Sequence, residues 1–262
     1  MRLLNFDEYL ALPHVEDTWL IDNLIVQRSF NILWGPAKSG KTILSLALGL
    51  AVAQGGTWLG QPAHQGTVLV LELDTPQKLL TKTLRNLQDS GVCLSTPHLL
   101  TPHPQDLPGI YPLNVCHRDH FQILSHMVMH VKPSLVIVDC LAETSDHDEN
   151  EASAVKPVIQ ALKHLTVFHP TNPCACWLLH HTVKFEYQSE KYPVPGALKA
   201  GRGSSYLAGA ADSIWFQHRI LSDTDPNALL ECIPRSDQPF TYGLRQQAGG
   251  WWSVAAAPTL ST

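Results

Sequence analysis

Apolar positions along this chain gather into runs of two lengths. Short, near-continuous runs occur at 30–34 (F-N-I-L-W), 67–74 (T-V-L-V-L-E-L-D), 134–139 (S-L-V-I-V-D) and 175–180 (A-C-W-L-L-H). Runs of this kind predict parallel strands covered on both faces. Longer stretches predict helices. Residues 43–53 are apolar almost throughout and end at Gly55, Gly56 and Gly60. Thr75-Pro76 starts a second helix, in which Leu79, Leu80, Leu84 and Leu87 keep helical spacing to about Asp89. Further helices are expected over 119–131 and, despite Pro157, over 151–168. Residues 95–118, rich in proline and histidine, predict loop around a short strand at Leu99-Leu100. Toward the C-terminus, short strands near 213–218, 228–233 and 251–254 alternate with turns. Strands alternating with helices predict an α/β fold: a mainly parallel twisted sheet flanked by helices, with antiparallel strands added late. Residues 1–29 read as an N-terminal arm whose two apolar pieces, 19–21 and 24–26, lie against the sheet edge. Residues 30–262 read as one domain.

Composition narrows the class. The chain has 262 residues, 44% hydrophobic and 16% charged, which suits a globular protein with a substantial core. A formal net charge of −5 excludes a generally basic nucleic-acid coat, though not a local basic track. The six cysteines include no C-x-x-C pair, so zinc is not expected, and free buried thiols in a reducing cytoplasm are. The first twenty residues lack the apolar core of a signal peptide, and the run at 43–53 is too short to span a bilayer.

The most specific chemistry lies at 35–42, G-P-A-K-S-G-K-T, which satisfies the phosphate-binding pattern G-x-x-x-x-G-K-[ST] between a strand and a helix. Gly35 and Gly40 let the backbone wrap a polyphosphate, and Pro36, Ala37, Lys38 and Ser39 form the crest between them. Lys41 supplies a point charge to the β- and γ-phosphates. Thr42 offers a hydroxyl to Mg²⁺, and Ile43 continues into a helix whose positive end faces the anion. ATP and Mg²⁺ are therefore the expected cofactors.

Other candidates sit at strand tips. Asp139 ends a buried strand where ligands bind in such sheets, and it is expected to hold Mg²⁺ as a Walker B aspartate. Glu72 and Asp74, two apart, would share one face. Either can orient the attacking water, with Asp74 favoured by its place nearer the tip. His180 and His181 close the third core strand, where a polar tip can sense a γ-phosphate. Next comes a Gly/Pro-rich segment in which Lys184, Lys191 and Lys199 are interleaved with aromatics that include Tyr187 and Tyr192. That mixture suits single-stranded DNA. Arg202, between two glycines, suits a finger reaching a neighbour's nucleotide.

In order, these motifs resemble the RecA-like ATPases of the plasmid RepA hexameric helicase type. The series runs through 19–22, the phosphate loop, 66–76, 136–139, 148–150, 180–184 and 202–205, and covers about residues 17–220. The resemblance implies a RecA-like P-loop core and a homo-oligomeric, hexameric ring with Mg-ATP between subunits. It also implies movement along single-stranded DNA in replication, with an initiator or primase as a further partner. Carried onto this chain, Lys41 and Thr42 bind phosphate and Mg²⁺, Asp139 is Walker B, His180 and His181 belong to the sensor strand, and Arg202 is the finger. One departure stands out: the family usually has glutamate where this chain has Asp74, which favours slow hydrolysis. A recombination or repair ATPase and a nucleotide-switched regulator are the alternative readings.

Overall fold

The structure, a computed structural model, describes residues 3–12, 18–73, 77–91, 95–102, 113–144, 152–182, 205–219, 226–235, 237–248 and 250–260. A short helix α1 (Phe6–Leu10) precedes a hairpin of β1 (Trp19–Ile21) and β2 (Ile25–Val26). Then come β3 (Phe30–Gly35), α2 (Lys41–Gln54), a small ribbon of β4 (Thr57–Trp58) and β5 (Gln61–Pro62), β6 (Val68–Glu72), α3 (Gln77–Asp89) and β7 (Leu99–Leu100). The middle of the chain adds α4 (Arg118–Val131), β8 (Leu135–Asp139), α5 (Ala152–Leu165) and β9 (Ala175–His181). The last part holds α6 (Ser205–Ala210), β10 (Ser213–Arg219), β11 (Ala228–Pro234), β12 (Phe240–Gln246) and β13 (Trp252–Leu260).

Nine of these strands form one sheet in the order β13-β12-β11-β10-β3-β9-β8-β6-β7. From β10 to β7 every neighbouring pair is parallel. Beyond β10 the pairs are antiparallel. The strand that leads into residues 35–42, β3, therefore lies between β9 and β10, and β9 separates it from β8, which ends at Asp139. Asn31 pins this centre: its amide donates to Cys176 O at 3.1 Å, and its side-chain oxygen accepts from Ser213 Oγ at 2.7 Å.

Alternation along the strands divides the core. On one face Leu33, Val70, Ile137, Trp177 and Trp215 pack against α2, with Leu20, Ile21 and Ile25 of the β1–β2 hairpin. On the other, Ile32, Leu69, Val136, Val138 and Leu178 pack with Leu124, Val158, Ile159 and Leu207 from α4, α5 and α6. The parallel strands are buried almost throughout because helices cover both faces. β11, in the antiparallel extension, alternates between buried and partly exposed positions. The α2 helix ends as its glycines require: Gly55 has φ 64° and donates back to Val52 O, and Gly56 donates to Ala51 O.

Three differences from the sequence reading concern length and partners. β6 runs over Val68–Glu72, shorter than the apolar run at 67–74, and its last pair with β8, Glu72 with Asp139, is closed by Leu73 N donating to Asp139 O at 2.7 Å. The two apolar pieces of the arm pair with each other and enter the core; they do not edge the main sheet. The late strands are longer than their apolar runs, because antiparallel pairing fixes backbone beyond the buried positions.

Trp58, Trp177 and Trp215 form a cluster with ring centroids 5.5–5.6 Å apart, and Trp177 Nε1 donates to Ser45 Oγ at 2.9 Å. Trp177→Ala is expected to cost about 3–5 kcal/mol of stability. The thermal midpoint should fall by roughly 10 °C in a melt followed by circular dichroism.

Candidate nucleotide site

Residues 35–42 turn from the carboxyl end of β3 into α2. The turn needs unusual backbone: Lys38 has φ 62° and Gly40 has φ 96°. Gly35 is required for space as well. A Cβ there would lie 2.7 Å from Gln217 O and 2.9 Å from Ser39 Oγ. Ala37 and Lys38 are exposed at the crest, while Ser39 is buried. Lys41 folds its side chain back beneath the loop, and its Nζ donates to Gly35 O and Pro36 O, both at 2.9 Å.

Parallel register brings the acidic residues to the same end of the sheet. Asp139 ends β8 and is buried, and Thr42 Oγ1 donates to its Oδ2 at 2.5 Å. Glu72, at the tip of β6, pairs in register with Asp139. His181, at the tip of β9, pairs with Gly35. Its Nδ1 lies 3.5 Å from Lys41 Nζ and its Nε2 3.8 Å from Cys140 Sγ. One imidazole thus links the loop lysine to the residue after Asp139. His180 alternates to the opposite face of the strand and is fully buried there. The structure gathers Lys41, Thr42, Asp139, Glu72 and His181 at one end of the sheet, and it turns His180 away from Lys41. Asp74, Lys184, Tyr187, Lys191, Tyr192, Lys199 and Arg202 lie outside the described residues.

Two residues at the loop carry no sequence motif. Gln217, fully buried on β10, donates through Nε2 to Ser39 O at 3.2 Å. Trp252, at the start of β13, donates through Nε1 to Gly40 O at 3.4 Å, and the Arg219 guanidinium lies over its ring at 5.6 Å. A polar pair closing the apolar run of β10 is the signal that points to Gln217. Nothing local marks Trp252.

The residues fit a magnesium nucleotide. Among the described residues, Ser39 Oγ is buried inside the loop with no hydrogen-bond partner, and the α2 N-terminus has no side-chain cap. Both features leave donors for phosphate oxygens. Thr42 and Asp139 offer hard oxygen ligands side by side. Mg²⁺ asks for few protein ligands because it keeps several waters. Among the described residues there is no cluster of three or more potential metal ligands that would favour another ion.

His218, beside Gln217, is buried with neither ring nitrogen hydrogen-bonded among the described residues, and burial pushes its imidazole down from 6.5 to about 4. Between those values the unfolded chain binds a proton that the folded chain refuses. Stability is therefore full above pH 6.5 and declines as the pH falls toward 4, by about 3 kcal/mol at most. Urea midpoints at pH 7 and pH 4.5 should differ less in His218→Phe than in wild type.

The described cysteines are free, and burial pushes the Cys174 thiol up to about 12 and those of Cys176 and Cys232 upward as well. Among the described residues no helix is long and apolar enough to cross a membrane.

The family described as AAA domain matches residues 2–186, well over half of the chain. The match takes in the phosphate loop, Asp139 and His181, and it stops before β10. No curated protein matches the sequence. With that match and the phosphate-loop geometry together, the chain belongs to the AAA domain family of P-loop ATPases.

Proposed function

We propose that this ATPase is a ring-forming motor, a helicase or translocase that moves along single-stranded DNA in replication at the expense of Mg-ATP. The observation that carries the reading is the place of His181. It stands within reach of Lys41 and beside Cys140, at the end of the strand that leads directly into the basic, aromatic segment from Lys184 to Lys199. A change at the phosphate end of β9 has a short covalent path to the residues proposed to hold DNA. The antiparallel extension of the sheet supports the RecA-like form of the fold.

In this reading Lys41 and the loop N–H groups bind the phosphates, and Thr42 and Asp139 hold Mg²⁺, which neutralises charge that builds during phosphoryl transfer. Asp74 orients the water, with Glu72 supporting from beside Asp139. Comparison of Asp74→Asn with Glu72→Gln for hydrolysis at saturating nucleotide assigns the two. Arg202 acts on a neighbour's nucleotide, so Arg202→Ala subunits should restore some activity to Lys41→Ala subunits when mixed.

Imaging by negative stain with a non-hydrolysable ATP analogue, with and without single-stranded DNA, tests the assembly. Closed rings support the motor, filaments favour a recombination or repair ATPase, and monomers favour a regulatory switch. DNA contact has its own expected result. Replacing Lys184 and Lys191 by alanine should weaken single-stranded DNA binding and DNA-stimulated turnover while sparing basal turnover. Wild-type DNA binding in the double variant would remove this segment from the track. Absence of DNA binding by wild type at low salt would end the motor reading.

A further inference from the structure

We propose that Gln217 and Trp252, both beyond the part of the chain that matches the family, are positioning residues of the nucleotide site. This rests on the reading of residues 35–42 as a nucleotide-binding loop. In a planar trans peptide the C=O and the following N–H point in opposite directions. A donor that fixes the carbonyl of Ser39 therefore also aims the N–H of Gly40, and one that fixes the carbonyl of Gly40 aims the N–H of Lys41. Gln217 Nε2 holds the first carbonyl at 3.2 Å, and Trp252 Nε1 holds the second at 3.4 Å. The remaining end of the loop is held from within, by Lys41 Nζ on the carbonyls of Gly35 and Pro36. Donors from β10 and β13 thus hold two of the loop's carbonyls, and with them the orientation of the peptide N–H groups that follow.

Gln217 is an expensive residue to place here if packing were its whole purpose. It is fully buried, its Oε1 has no partner among the described residues, and the residues two and three before it on the strand, Trp215 and Ile214, are apolar. Burying an amide with an unmet acceptor is unfavourable, and an unbranched apolar side chain would fill the same space without that cost. The bond Gln217 does make is to the loop. Its main chain also lies against Gly35, so β10 meets the loop at both ends. Trp252 has a smaller share, because Gly40 O also accepts from Leu44 N at 3.0 Å.

The test uses the full chain and two probes, pyrophosphate and Mg-ADP, titrated by calorimetry into wild type, Gln217→Met, Trp252→Phe and the double variant. Methionine keeps length and fills the space with little loss of packing, whereas phenylalanine removes the donor but also part of a buried ring, so its thermal midpoint is read beside its affinity. Pyrophosphate affinity is expected to fall about tenfold in Gln217→Met and about threefold in Trp252→Phe, with thermal midpoints at or above wild type for Gln217→Met. Mg-ADP should follow pyrophosphate. A purely structural role would lower the midpoint and leave pyrophosphate affinity alone. Affinity within twofold of wild type in a folded double variant overturns the proposal. If Gln217→Met does not fold, Trp252→Phe alone decides it by the same measure. A wild-type chain that binds neither probe overturns the nucleotide reading itself, and this proposal with it.

Discussion

Lys41→Ala is expected to fold and to lose nucleotide hydrolysis by at least a hundredfold. The fold should survive because the rest of α2 is anchored by Leu44, Leu46, Leu48 and Val52 in the core, none of which depends on the lysine. The activity should not, because Lys41 is the buried cation at the loop, and charge building on the phosphates would lose its fixed partner. Such a loss costs on the order of 3 kcal/mol or more in the transition state. The ground state suffers too. Without Nζ the carbonyls of Gly35 and Pro36 lose the donor that now holds them, so nucleotide affinity should fall as well. Single-turnover hydrolysis with purified, metal-replete protein is the measurement. Wild-type turnover in the variant would refute the site.

Asp139→Asn is expected to be nearly as severe, with a different signature. The side chain keeps its size and still accepts a hydrogen bond from Thr42, so folding and metal-free nucleotide binding should change little. The negative charge proposed to draw Mg²⁺ to that position is gone, and an amide is a poorer ligand for a hard cation. Hydrolysis should fall by about a hundredfold or more, and the gain in nucleotide affinity on adding Mg²⁺ should shrink. A titration of nucleotide with and without EDTA reads this directly. A variant whose Mg²⁺ response matches wild type would place the metal elsewhere.

Much of this site could be read from the sequence, because the chemistry is spelled out locally. The phosphate loop needs glycine where φ is positive or space is short, and Gly40 and Gly35 meet those two needs. Asp139 was legible as the polar end of an apolar run, and the run itself as a strand buried on both faces. What depends on pairing was not legible. The sequence places His180 and His181 together, but alternation along β9 sends only His181 toward Lys41. Gln217 and Trp252 reach the loop because β10 lies beside β3 and because three antiparallel strands then bring β13 round to Gly40. No spacing in the chain encodes that meeting. The β1–β2 hairpin was missed for a similar reason: two- and three-residue strands carry too few positions for a period, and burial against α2 and the β4–β5 ribbon makes them part of the body.

The central place of β3 bears on how the protein comes to exist during synthesis. Of the strands in the large sheet, β3 is made first, yet Asn31 finds its partners at Cys176 and Ser213, 145 and 182 positions later. A nascent chain therefore carries the phosphate-loop sequence before the two strands that flank β3 have been made. Contacts so distant in sequence are slow to close. Nucleotide bound at this loop is therefore expected to favour a chain in which β9 and β10 already flank β3, and so to act late in folding.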